Sequence, residues 1–214
     1  VLKTYAVKEI FLTLQGEGSH SGTPAIFVRF TGCNVWSGHA EHRERDAAKG
    51  TCARWCDTDF VGTDGVLGGR YTAEKLVATI RELWNSTDRG IVVCTGGEPG
   101  LQLDDALVAA LHLARFDVHV ETNGSIDLPE TVDWITLSPK PPMPVTPSML
   151  QRANDVKVVY PVRDLHPADW LRDHGHHYIQ PIAQRAPDDA VAFVLDSRGA
   201  WRLSLQTHKL LNLP

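Results

Sequence analysis

Three of the chain's four cysteines, Cys33, Cys52 and Cys56, fall in the stretch GCNVWSGHAEHRERDAAKGTCARWCDTDF at residues 32 to 60. Eighteen residues separate the first two and three separate the last two. The close pair can reach one metal or cluster, and Cys33 joins them if the polar segment folds back, with a short helix over residues 39 to 49. Two inorganic readings compete. Zinc would take Cys52 and Cys56 with His39 and His42, in an unusual order for a two-Cys, two-His site. An iron–sulfur cluster on three thiolates would leave one iron open, and an open coordination position is what a reactant needs. Cys94 lies in the apolar run IVVCT, where a free cysteine behaves as a small buried hydrophobe.

The bulk properties favour a small-molecule chemistry over a polymer partner. At 214 residues and 43% apolar composition the chain suits one globular domain. A formal net charge of -5 offers no general attraction to phosphate backbones, and no basic run is interleaved with aromatics, so nucleic acid is not expected. No apolar run approaches the roughly 18 residues of a membrane span. The opening VLKTYAVKEI lacks the order of a signal peptide, and its missing initiator Met suggests processing or trimming. A cytoplasmic, soluble protein is expected, and in a reducing compartment its cysteines stay thiols instead of forming a disulfide framework.

These residues need a scaffold, and the pattern supplies an alternating one. AIFVRF (25 to 30), IVVCT (91 to 95), VHVET (118 to 122), DWITLS (133 to 138), DVKVVY (155 to 160), HHYIQ (176 to 180) and WRLSLQ (201 to 206) read as strands. Thr72 to Trp84 places Ala73, Leu76, Val77, Ile80, Leu83 and Trp84 on one helical face, and Asp104 is positioned to cap a second helix over DALVAALHLA. Further helical stretches are expected near 166 to 174 and 188 to 197. The prolines of PKPPMPVTP make a surface crossing. Repeated βα order predicts an α/β fold with a mostly parallel sheet. Arg29, Cys33, Thr95, Glu98, Glu121, Asn123, Ser138, Lys140, Gln180, Gln206 and His208 all fall where strands run out, as at the C-terminal mouth of a barrel or partial barrel.

The cysteine stretch together with TGGEP, ETNG and SPK resembles the radical S-adenosylmethionine (SAM) superfamily. LQGEG, CDTDFVG and QTHKLLNLP are similar to the 7-carboxy-7-deazaguanine synthase family, ring-contracting enzymes of deazapurine and queuosine biosynthesis. The matched segments run from residue 14 to the last. One departure stands out: the superfamily usually places two residues between its last two cysteines, whereas Ala53, Arg54 and Trp55 lie between Cys52 and Cys56. The resemblance implies a single radical SAM domain over residues 1–214, built as a partial (βα)6-type barrel with an irregular cluster-binding loop.

The roles implied are specific. Cys33, Cys52 and Cys56 would hold a 4Fe-4S cluster. Trp55, Gly96, Gly97, Glu98, Asn123, Ser138, Pro139, Lys140 and Gln180 would bind SAM, with the Glu98 carboxylate on the methionyl ammonium, Asn123 on the ribose, and Trp55 with Gln180 bordering the adenine. The substrate would be 6-carboxy-5,6,7,8-tetrahydropterin, held by Leu14, Gln15, Gly16, Glu17, Arg29, Thr95, His208 and Pro214. Arg29 would anchor its carboxylate, Glu17 would accept from its guanidine-like edge, His208 would bond substrate and move protons, and Pro214 would act through its terminal carboxylate. Mg²⁺ would sit on Thr58 with Asp57 close by, although Asp-Thr-Asp also reads as a simple turn. Glu17, Arg29 and His208 also read as an internal ion-pair network, and Trp55 as core packing. An external electron donor such as flavodoxin and a homodimer complete the implied set. A radical SAM activase acting on a protein glycyl residue and a zinc-binding interaction module are the rival classes.

Overall fold

The computed structural model describes residues 3–162, 166–173, 175–182 and 186–214. In chain order the elements are β1 (Tyr5–Leu14), β2 (Pro24–Phe30), α1 (Arg43–Asp46), β3 (Gly69–Tyr71), α2 (Ala73–Trp84), β4 (Gly90–Gly96), α3 (Asp105–Leu113) and β5 (Phe116–Thr122). They continue with β6 (Trp134–Leu137), α4 (Pro147–Arg152), β7 (Asp155–Tyr160), β8 (His176–Pro181), α5 (Asp188–Asp196), β9 (Arg202–Leu203) and α6 (Thr207–Leu210). One nine-stranded sheet has the order β3-β1-β2-β4-β5-β6-β7-β8-β9. β2 and β4 to β9 run parallel, and β1 and β3 extend one edge antiparallel.

Local signals account for the helix positions. Thr72 and Asp104 cap α2 and α3, their side-chain oxygens accepting from Lys75 N (3.3 Å) and Leu107 N (3.0 Å). α2 ends at Asn85, which adopts φ 47° and returns its N–H to Arg81 O. Leu76 and Ile80 of α2 and Leu107, Val108 and Leu111 of α3 pack on Ile26, Val28, Val92, Cys94, Phe116, Val118 and Val120, one face of the sheet's first half. A second cluster, with Val156, Val158, Ile179, Ala190 and Trp201, covers the other half. Val145 touches both. Between β6 and β7 only Thr136↔Asp155 and Leu137↔Val156 are in register.

Several expectations are revised. β1, ten residues long, and β3 add two strands to those expected; a register shift between Val7 and Glu9 breaks β1's alternation, leaving Val7 and Lys8 both buried. WRLSLQ pairs as a strand only at Arg202–Leu203, with Ser204 N adding a bond to Ile179 O (2.9 Å). The stretch near 166 to 174 forms one 3-10 turn, Pro167–Trp170, and residue 174 lies outside the described residues.

The opposite face of the sheet is the interior that carries the site. Leaving β1, residues 15 to 19 cross this face: Gln15 Nε2 donates to Glu121 of β5 (3.2 Å), and Glu17 meets Lys157 of β7. β1 and β7 are five strands apart in the sheet order, about 24 Å if it were flat. Three residues carry a chain only about 10 Å. The sheet must therefore curl into a partial barrel with the crossing as its floor. Thr207 N and Oγ1 both donate to Gly16 O (3.0 Å each), and Thr13 Oγ1 donates to Pro214 O (3.3 Å), so the segment after β9 closes the gap back to β1.

Beneath the floor His20, His119 and Trp134 fill the interior, with His20 4.5 Å from each partner by ring centroids. Burial, with the neighbouring His20, holds the His119 pKa down to about 4 from 6.5. The unfolded chain therefore takes up a proton before the folded one does. Stability from this residue is complete above about pH 6.5, falls as pH drops toward about 4, and the full loss is on the order of 3 kcal/mol. Urea titrations at about pH 7 and about pH 4 should show an acid-induced loss smaller by most of that amount in His119→Gln than in the parent. Equal losses in both proteins would contradict it.

Candidate active site

The cysteine loop has its own small core of Trp36, Ala47, Ala53 and Phe60, against which Cys33, Cys56 and Val61 pack. Arg43 clamps it, lying 4.5 Å from the Trp36 ring centroid while donating to Ala53 O (2.6 Å) and Cys56 O (2.9 Å). Cys52 O accepts from both Trp55 N (3.0 Å) and Cys56 N (2.7 Å). The extra residue is thereby absorbed in one α-type turn, which sets positions 52 and 56 on the same side. All three thiols are free and line one cavity. Burial raises the Cys33 thiol and pushes Cys52 up to about 12, which disfavours the bare thiolate at these two positions. Cys94 is buried in the main core, as its apolar run implied.

No group of three or more His, Cys, Asp and Glu among the described residues could hold a single metal ion. His39 and His42 meet edge to face, and His42 Nδ1 pairs with Ser37 Oγ (3.1 Å), so the two-Cys, two-His zinc arrangement is not formed. A cluster makes a different demand, because three thiolates on three irons stand farther apart than ligands of one ion. Free, clustered thiols facing a cavity fit it.

The cavity continues past Gly96 and Gly97, whose need for glycine is steric. A Cβ on Gly96, at φ +131°, would meet Phe30 O at 2.2 Å, and one on Gly97 would meet Gly32 O at 2.0 Å. Trp55, Asn123, Ser138, Lys140 and Gln180 share this lobe with the cysteines. Lys140 Nζ lies 5.5 Å from the Trp55 ring centroid and donates to Ser138 Oγ. Burial lowers its pKa.

Glu98 is placed differently from the expectation of an ammonium ligand. It is fully buried, its Oε1 accepting from Gly100 N (2.9 Å) and Thr122 Oγ1 (2.7 Å) and its Oε2 from Asn123 N (2.8 Å). It ties the end of β4 to the end of β5. Pro139 is likewise buried and does not line the lobe. Gln180 reaches the floor, where its Nε2 donates to Glu17 Oε1 (3.3 Å).

A second lobe of about 310 Å³ adjoins the first and is lined by Leu14, Gln15, Glu17, Arg29, Thr95, His208 and Pro214. Glu17, Asp57, Thr58, Thr95, Glu121 and Gln206 border both. Gly16 lies behind: a Cβ there would sit 2.0 Å from His208 Nδ1. Arg29 Nε donates to Glu9 Oε1 (2.7 Å), leaving four guanidinium N–H groups without a partner among the described residues. Burial lowers His208 against the pull of Glu17. Asp57 pairs with Lys209, and Asp59 with Lys8 (2.8 Å), so of the Asp-Thr-Asp run Thr58 is the member without a charged partner. Lys8 also holds Asp64 and Val61 O, fixing this loop to β1.

Relatives match this chain over nearly its whole length. It is 49% identical to the 7-carboxy-7-deazaguanine synthase of Burkholderia multivorans and 51% identical to that of Caulobacter vibrioides, each alignment covering 99% of this chain and 100% of the relative. The chain belongs to the 7-carboxy-7-deazaguanine synthase family. The Escherichia coli member is 35% identical over 98% of this chain and 99% of its own. A solved structure described as QueE from Escherichia coli superposes with a TM-score of 0.71 at 29% identity, covering 94% of this chain and 93% of that one. No protein-family model matches.

Two residues of this family member's site were not singled out from its sequence. Glu121, noted only as a strand end, accepts from Gln15 Nε2 (3.2 Å) and Thr95 Oγ1 (3.3 Å) at the junction of the lobes. Lys157 forms an ion pair with Glu17 at 7% and 9% side-chain exposure. Burial alone would raise Glu17, but Lys157, with Gln206 and His208, holds it below the ordinary carboxylate value. Burial alone would lower Lys157, yet Glu121, Glu17 and Asp155 hold it above the ordinary lysine value. The available signal was a lone lysine among the valines of DVKVVY.

Gly97→Ala should push the Gly32–Cys33 backbone away, costing about 1–3 kcal/mol by urea titration. It should also reduce iron bound per chain after anaerobic reconstitution. Unchanged stability and iron content would show that the contact is not fixed.

Proposed function

We propose that the whole chain, residues 1–214, works as one domain that converts 6-carboxy-5,6,7,8-tetrahydropterin to 7-carboxy-7-deazaguanine with loss of ammonia, as a radical SAM carbon–nitrogen lyase. The observation that carries this reading is the pair of adjoining lobes, one lined by the three free thiols and the glycine turn, the other by Arg29, Glu17 and His208. A lobe of about 310 Å³ suits a small bicyclic compound better than a protein loop, which favours this chemistry over glycyl activation.

Cys33, Cys52 and Cys56 would hold the 4Fe-4S cluster. When bound, the reduced cluster and SAM supply the 5'-deoxyadenosyl radical that takes a hydrogen atom from the substrate. The backbone of Gly96 and Gly97 would give SAM a close approach, Asn123 would serve its ribose, Ser138 and Lys140 its carboxylate, and Trp55 with Gln180 its adenine. Glu98 serves from behind, fixing the Asn123 backbone. Arg29, held by Glu9, turns its remaining N–H groups to the substrate carboxylate. Glu17 accepts from the guanidine-like edge, with Leu14, Gln15, Gly16 and Thr95 completing that wall and Pro214 at its rim. His208, whose charged form burial disfavours, is suited to exchange protons as ammonia leaves. Mg²⁺ fits Thr58 with Asp57 as hard oxygen donors, once Asp57 is free of Lys209. No helix among the described residues is long and apolar enough to cross a membrane. The same proposal includes a cytoplasmic setting, an electron donor such as flavodoxin, a homodimer and a place in queuosine synthesis.

Anaerobically reconstituted protein supplied with SAM, Mg²⁺ and reductant should form 7-carboxy-7-deazaguanine, measured by chromatography and mass. Unchanged pterin with SAM cleaved on another substrate would overturn the reading. Arg29→Ala should raise KM about 10- to 100-fold, the scale of a lost charged hydrogen bond, with a smaller change in kcat. A fall confined to kcat would remove Arg29 from substrate binding.

A further inference from the structure

Lys157 stands where acidic side chains converge from three elements: Glu17 from the crossing, Glu121 from β5, and Asp155 from its own strand. Asp155 is already satisfied, its oxygens accepting from Ser19 N (3.0 Å) and Ser19 Oγ (2.7 Å). Glu121 is held by the neutral donors Gln15 and Thr95. The lysine's direct bond goes to Glu17 Oε2, while Glu17 Oε1 accepts from Gln206 Nε2 (2.9 Å) and Gln180 Nε2 (3.3 Å). His208 of α6 and Lys140 after β6 also act on the pair, and Asp57 and Lys209 line the same cavity wall among the described residues. Lone carboxylates at this depth take up a proton. A protonated Glu17 would turn a donor toward a donor-rich ligand edge, leaving buried N–H groups unpaired.

We propose that Lys157 is a positioning residue for the ring contraction, holding Glu17 ionised and aimed at the junction of the two lobes so that it accepts the guanidine-like edge of the bicyclic substrate. The proposal rests on the functional reading above. It assigns Lys157 an action through Glu17 and none on the reacting atoms. Charge is the requirement, so arginine can replace lysine in part, whereas methionine, of similar length and no charge, cannot.

Reconstituted wild-type enzyme is assayed for KM and kcat with the carboxy-tetrahydropterin from about pH 6 to about pH 9, beside Lys157→Met, Lys157→Arg, Glu17→Gln and the double variant E17Q/K157M. In K157M the KM should rise about tenfold or more near neutral pH and recover toward wild type as pH increases and Glu17 ionises unaided. K157R should stay within about threefold of wild type across the range. Because Lys157 acts through Glu17, E17Q/K157M should have nearly the KM of E17Q alone. The double variant leaves no lone Glu17 charge, so this arm remains decisive if K157M fails to fold. A K157M effect equal at every pH, or a KM in the double variant raised by the product of the single effects, would overturn the proposal. Absence of turnover in wild type would instead overturn the functional reading.

Discussion

The interior of this molecule depends on one buried ion pair between distant parts of the sheet. Glu17 leaves the end of β1 and meets Lys157 on β7, and Gln180 and Gln206 donate to its other oxygen. Two charges removed from water need this degree of satisfaction, since an unsatisfied buried ion is strongly unfavourable. The same contacts turn an open sheet into a cup. They set the floor of the cavity, hold Gly16 against Thr207, and bring the segment after β9 to the wall that β1 begins.

The cysteine loop solves a different problem, because it must hold reactive groups outside the sheet without a long helix. Its order comes from a few strong restraints. Arg43 ties down the carbonyls of Ala53 and Cys56, Asp46 accepts from Ser37 N (2.8 Å), and Thr51 N reaches Pro141 O (2.9 Å). At its far end Lys8 gathers Asp59 and Asp64. The thiols and Thr58 are thus fixed from opposite ends, so the loop links the two lobes mechanically as well as in sequence.

Much of this was legible in sequence where one residue type answers one local demand. Thr72 and Asp104 mark helix starts because their oxygens satisfy orphan N–H groups. Gly96 and Gly97 mark a close backbone approach, and the strand-end placement of Arg29, Thr95 and His208 foretold their convergence. What sequence concealed depends on tertiary partners. β1 hides behind its register shift. Glu98 reads as an ammonium ligand, and its burial between the ends of β4 and β5, bonded to Thr122 and Asn123, shows only once the strands are side by side. Lys157 looks like a misplaced charge until Glu17 arrives from 140 positions away.

The short pairing between β6 and β7 gives the fold a seam. Across it only two residues of each strand are in register, and the two apolar clusters meet there: Leu137 of β6 belongs to the second, Met149 and Leu150 of α4 pack in the first and against the second respectively, and Val145 touches both. The polar crossing spans the same seam from the inner face, where Glu17 meets Lys157 of β7 and Gln15 meets Glu121 of β5. The contacts that shape the pocket therefore also brace the cup where its strand pairing is shortest.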